Sequence, residues 1–164
     1  ADSPNTHFFQ GCPYKVEEMF YQDEFLDLIQ EPREVAFVFW SAAAFYSDPV
    51  FAHAARFLYD WTAPNSCLVF HAQGAGANPG HPSIRHLARQ LNEMQSPFYL
   101  RSWETYASLI APWTPDEQGV ISLLDWHGLD TSEMTPDDRA AWGAYGIGCG
   151  AYLVKPPPPG EPGS

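Results

Sequence analysis

Three thiols, six imidazoles and a few well-placed hydroxyls and carboxylates are the groups in this sequence able to carry chemistry. Cys12, Cys67 and Cys149 are too few and too widely spaced for a disulfide framework or a zinc ribbon. An odd count leaves at least one thiol free or joined to another molecule. Cys67 opens an apolar run and reads as a small hydrophobe. Cys12 and Cys149 lie in Pro- or Gly-containing segments and are the candidates for exposed, intermolecular thiols. His81 and His86 are five residues apart, poorer for one helical face than three or four, and no His-x-x-Glu-His motif exists, so neither a metal nor another cofactor is expected. No Gly-x-Ser-x-Gly elbow is present. Gly74–Gly80 lacks the Gly-Lys-Ser/Thr ending of a phosphate loop and reads as a flexible connection. Ser47, Asp48, His71 and His81 all follow apolar runs, and in an open α/β sheet such positions line the ligand crevice.

The elements that must position these groups follow from periodicity. Val16 to Gln30 carries a helix-like pattern in two pieces that stops before Pro32. Val35–Trp40 is a continuous apolar run, expected as a strand buried on both faces. Asp48 as cap and Pro49 as first residue start a helix whose apolar positions run from Val50 to Trp61. A second buried strand, Cys67–Ala72, and a helix from Ser83 to Met94 follow. Strand, helix, strand, helix in that order implies parallel pairing. Beyond Ser96-Pro97, Phe98–Trp103 and Tyr106–Ile110 read as an antiparallel hairpin whose aromatics face the core, and Asp116–His127 as a final helix. Thr135 caps a short helix through Trp142, and a Gly-rich segment leads to Ala151–Val154, an added strand or a packed strap.

One domain is the default for 164 residues, and a chain this long buries roughly 70% of its unfolded surface without needing a metal or disulfide. Apolar residues at 45% exclude intrinsic disorder of the body, and no run reaches the ~18 residues of a membrane span. The net charge of −12 argues against nucleic acid as a partner. That charge sits in two acidic flanks, residues 1–34 and 110–139, around a neutral centre, which reads as solvated faces on a core. No calcium-binding loop spacing is present. The tail 156–164 holds five prolines and reads as a linker or a cloning remnant.

The order of elements, the Phe37–Ser47 strand and turn, the helix that follows from Pro49 and Ser96-Pro97 before an expected strand together resemble the thioredoxin family. The match is nearest to the first domain of an endoplasmic-reticulum protein of that family. The resemblance implies an α/β thioredoxin-like fold, a mixed central sheet flanked by helices, over residues 1–128, with 129–155 packed on it as a C-terminal extension. It places Ala44 and Ser47 where the family's two redox cysteines stand. Thiol–disulfide exchange needs those thiols, so the chain is expected not to be an enzyme but a redox-inactive binding or scaffolding module of the secretory pathway. In that frame Pro97 is the family's cis-proline. Ser96 would pair with an extended peptide, and Ala44, Phe45, Tyr46 and Ser47 would complete the protein-binding surface. The alternative is an enzyme or ligand-binding α/β domain with its site at Ser47, Asp48, His71 and His81.

Overall fold

The computed structural model describes residues 7–12, 14–29 and 31–155. The tail 156–164, expected as a linker, lies outside them. Short acidic helices α1 (Val16–Phe20) and α2 (Asp23–Leu28) open the fold, each with carboxylates in its first turn, where they complement the helix dipole. Phe20 packs its ring against Phe25, Phe37, Phe57 and Trp61, which fixes both helices to the first strand. Strand β1 (Ala36–Phe39) leads through a short turn into α3 (Asp48–Trp61). Phe51, Ala54, Ala55, Leu58 and Trp61 are buried at helical spacing along α3, so one face of this helix is core. Ser47 is the capping position, one residue before the Asp48 expected there, and Pro49 lies in the first turn.

Strand β2 (Cys67–Gln73) pairs with β1 in parallel, Ala36 opposite Cys67 through Phe39 opposite Phe70. The expected strand–helix–strand unit is therefore present. Helix α4 (Pro82–Glu93) follows the Gly74–His81 loop, with the His81 imidazole accepting from the Ser83 amide at its start.

After Pro97 the expected hairpin is replaced. Residues 98–102 form no strand, and Trp103–Ile110 is helix α5. Ser102 caps it by accepting from the Thr105 amide, and Tyr106 and Ile110, four apart, are both buried. The aromatic content that suggested strands instead fills one helical face. The expected helix over 116–127 survives only as α6 (Leu123–Trp126), capped by Ser122. Upstream of it, β3 (Thr114–Pro115) and β4 (Ile121–Ser122) pair with the last strand. Short apolar runs do not distinguish helix from strand by periodicity, and here the free edge of a long neighbour decides. Helix α7 (Pro136–Trp142) starts at Thr135, whose hydroxyl accepts from the Asp138 amide.

Strand β5 (Gly148–Val154) runs antiparallel to β2 over seven residue pairs, from Gln73 opposite Gly148 to Cys67 opposite Val154. The sheet order is β1-β2-β5-β3, with β4 also on β5. The fold is mixed α/β: a mixed sheet flanked by helices. The stretch 129–155 supplies α7 and this strand at the middle of the sheet.

The two faces of the sheet differ. Leu68, Phe70 and Ala72 of β2 and Cys149, Ala151 and Leu153 of β5 are buried, with Phe70 against Phe51 of α3 and Tyr106 of α5. On the opposite face Val38, Val69 and Tyr152 stand in register across three strands, and Val38 is 71% exposed. The expectation that β1 is buried on both faces is thus corrected. It is an edge strand with one open face.

Phe70→Ala should cost about 3–5 kcal/mol, whereas Val38→Ala should stay within about 0.5 kcal/mol, both read from urea unfolding. Comparable losses would contradict the assignment of the two faces.

Candidate active site

Where β1 and β2 end, their following residues converge. Ser41 Oγ lies 3.0 Å from Nδ1 of His71. The Trp40 ring lies over the imidazole at 4.8 Å between centroids, and Trp126 of α6 meets Trp40 edge-on at 5.7 Å. His71 is 1% exposed, and among the described residues its Nε2 has no hydrogen-bond partner; nor does the buried Oε1 of Gln73 two residues on. Burial lowers the His71 pKa below its usual 6.5, which keeps the ring neutral at pH 7. Ser41 adopts φ +58°, a left-handed conformation that costs a non-glycine residue on the order of 1–3 kcal/mol and that clusters at functional sites.

Two glycines make room for this arrangement. A Cβ on Gly148 would lie 2.5 Å from the Ala72 carbonyl oxygen and 2.7 Å from His71 Nε2. One on Gly150 would lie 2.6 Å from the Trp126 ring. The imidazole and the indole therefore approach the β5 backbone this closely because its facing positions carry no side chain.

The turn after β1 is held from a third direction. Arg101, 6% exposed, donates from Nε to Asp48 Oδ1 (2.8 Å), with its Nη2 ion-paired to the same oxygen at 2.7 Å, from Nη1 to the Ala43 carbonyl (3.0 Å) and from Nη2 to the Tyr46 carbonyl. Its guanidinium also stacks near the Tyr106 ring at 5.5 Å. The Tyr99 amide donates to the Ala44 carbonyl. One buried cation thus closes the loop that carries Ser41.

Ser41 stands on a strand-to-helix turn with positive φ, the setting of a nucleophile elbow. No carboxylate among the described residues meets the second imidazole nitrogen, so His71 is not oriented as the base of a hydrolytic triad.

The residues singled out from the sequence scatter. Of Ser47, Asp48, His71 and His81, only His71 belongs to the convergence. Ser47 caps α3, Asp48 binds Arg101, and His81 caps α4 and lies 3.3 Å from the Asp137 carboxylate. Ala44 is fully buried, Phe45 packs on Phe98 and Tyr46 on Phe39. The cis peptide bonds of the described residues precede Pro32 and Pro112, not Pro97, and Ser96 donates its amide to the Leu91 carbonyl with no strand beside it. The strand-addition surface expected at Ser96 and Pro97 is therefore not formed. Cys12 is exposed, but Cys149, expected as an exposed thiol, is buried, which pushes its pKa up to about 11. Ser41, Trp40, Trp126 and Arg101 were not singled out. The Gly-x-Gly at the head of β5 was the available signal, since glycines inside an apolar run mark a close approach.

No protein-family model matches the chain, and no curated protein matches it. Among solved structures it is similar to a putative methyltransferase from Thermobifida fusca, with a TM-score of 0.72 and 20% identity over 93% of this chain and 55% of that one. It is also similar to a DUF574 family protein from Streptomyces avermitilis, with a TM-score of 0.57 and 18% identity over 88% of this chain and 52% of that one. The chain shares the fold of these two structures. This chain spans about half the length of both structures. The thioredoxin resemblance is overturned, because the region that frame needs as strands after a cis-proline is a coil and a helix. The expectation of a non-enzyme falls with it: it rested on missing cysteines that matter only in a thioredoxin frame. So do the redox-inactive label and the endoplasmic-reticulum setting, since both similar proteins are bacterial. Among the described residues no helix is long and apolar enough to cross a membrane.

The His71 pKa sets a pH dependence with a definite sign. The folded ring binds its proton less readily than the unfolded one, whose pKa is 6.5. Below that pH the unfolded state takes up more protons and stability falls; above it this group adds no slope. Between about pH 7.5 and about pH 5.5 the wild type should lose stability more steeply than His71→Gln, by at most about 1.4 kcal/mol per pH unit. Equal slopes would contradict a buried neutral imidazole. Alkylation of the native protein should label Cys12 well before Cys149, with Cys149 reacting only once unfolding is induced; mass spectrometry of the digested protein reads the order.

Proposed function

We propose that this chain is part of a methyl-transferring enzyme built on a Rossmann-like sheet, with its reactive centre at the carboxyl ends of β1 and β2 around Ser41, His71 and Trp40. The observation that carries this reading is the Ser41–His71 pair, a hydroxyl on a buried neutral imidazole where two parallel strands end. Open α/β sheets bind their ligands at that place. The likeness to a methyltransferase fold supports the reaction class.

Methyl transfer to an oxygen, nitrogen or sulfur nucleophile requires the acceptor's proton to leave as the new bond forms. The Ser41 hydroxyl is placed to receive that proton while passing its own to Nδ1 of His71, which burial keeps unprotonated at neutral pH. Trp40 and Trp126 supply the aromatic faces against which a cationic methyl donor is accommodated, and the donor, when bound, supplies the electrophilic methyl group. Trp40 also covers the imidazole and limits the access of water. Ser41 is the residue in contact with the acceptor; His71 acts through it.

The test is methyl incorporation by the purified protein containing this chain, supplied with an isotopically labelled sulfonium methyl donor and acceptors bearing amine, hydroxyl or thiol groups. Ser41→Ala and His71→Gln should each lower the rate about 10²-fold or more. The wild-type rate should rise with pH through the imidazole titration, and the His71→Gln profile should be flat there. Absence of transfer to every acceptor class, or an unchanged His71→Gln profile, would overturn the proposal.

A further inference from the structure

Beside α6 lies a cavity of about 380 Å³ whose lining includes none of Ser41, Trp40 and His71. Leu123 and Leu124 of α6, Leu129, Trp142 of α7 and Ile147 form its apolar wall. Leu129 and Ile147 are 44% and 53% exposed, so large apolar side chains face a concavity rather than the core. The wall is tightly set: Gly146, at φ +63°, approaches Leu124 so closely that a Cβ would lie 3.3 Å from its Cγ. It is also tied to the sheet, because the Gly74 amide at the end of β2 donates to the Ile147 carbonyl at 2.8 Å.

The acidic side chains of this cavity are Glu133 and Asp138, beside the imidazole of His127, with no Lys or Arg among its lining residues. Both carboxylates belong to exposed residues, and the Asp138 oxygen accepts from the Thr135 hydroxyl at 2.6 Å, which holds it in place. The size falls within the range of small-molecule pockets, roughly 300–1,000 Å³. An apolar wall with an anionic rim, in a chain of net charge −12, fits a ligand with an apolar body and a positive end.

We propose that this cavity binds a cationic amphiphile, an alkyl or aryl amine whose apolar part lies against Leu124, Leu129 and Ile147 and whose ammonium faces Glu133 and Asp138. Binding here is independent of the methyl-transfer reading, because an ammonium held at Glu133 and Asp138 has no lone pair with which to accept a methyl group.

Isothermal titration at about pH 7.5 with octylamine, octanol and octanoate, all below their aggregation concentrations and without methyl donor, reads the cavity alone. Octylamine should bind saturably at one site, and octanoate at least about tenfold more weakly. Glu133→Gln with Asp138→Asn should bring octylamine down to the level of octanol, the asparagine retaining the Thr135 hydrogen bond. Ile147→Trp, at an exposed position that tolerates bulk, should abolish binding of all three by filling the space. No saturable octylamine binding, equal binding of octanoate, or a rim variant that keeps the amine preference would overturn the site. Failure of every acceptor class would overturn the methyl-transfer reading and leave the titrations standing.

Discussion

The antiparallel pairing of Gly148–Val154 with Cys67–Gln73 is the constraint on which the rest depends. It inserts the last described strand into the middle of the sheet, so that β3 and β4 have an edge to join and α6 is delivered beside the strand ends. It also sets two glycines opposite the carboxyl end of β2, where His71 and Trp126 need a floor without side chains. Moving the register by one residue would turn Cys149 and Ala151 toward that face and remove the space for both rings.

The second requirement is a rigid β1–α3 turn. Serine in a left-handed conformation persists only when its surroundings outweigh the strain. Here the surroundings are the Arg101 guanidinium on Asp48, Ala43 and Tyr46, and the aromatic packing of Phe45 on Phe98. The segment 98–102, which forms no regular structure, is thus what fixes the chemistry-bearing loop. A hydroxyl in that loop gains little from a neighbouring imidazole in water; here the ring is buried and neutral, and its other nitrogen has no partner among the described residues.

The first half of the fold was legible in the sequence, for physical reasons. Phe51, Ala54, Ala55, Leu58 and Trp61 repeat at helical spacing over about three turns, and the runs at 35–40 and 67–72 are bounded by charge, Pro or small residues, so local signals agree with the final packing. The second half was not. Trp103–Ile110 holds β-favouring aromatics whose helical state is settled by burial of Tyr106 and Ile110 against Phe70 and α3. Val120–Leu124 divides between strand and helix because β5 pairs with only part of it. Of the candidate site, His71 was visible as a polar residue in an apolar run. Its partner Ser41 carried no local mark, because a hydrogen bond across thirty residues has no sequence signature.

By itself, then, the sequence determined an acidic, well-cored α/β chain with a parallel strand–helix–strand unit and a histidine at the end of its second strand, since those features follow from composition and short-range periodicity. Only the tertiary structure decided which residues meet that histidine, which face of the sheet stays open, and that the chain has the fold of the two similar solved structures rather than a thioredoxin one. The reason lies in β5: its partner is set by an edge more than seventy residues earlier in the chain, and free energy gained at that distance leaves no local pattern to read.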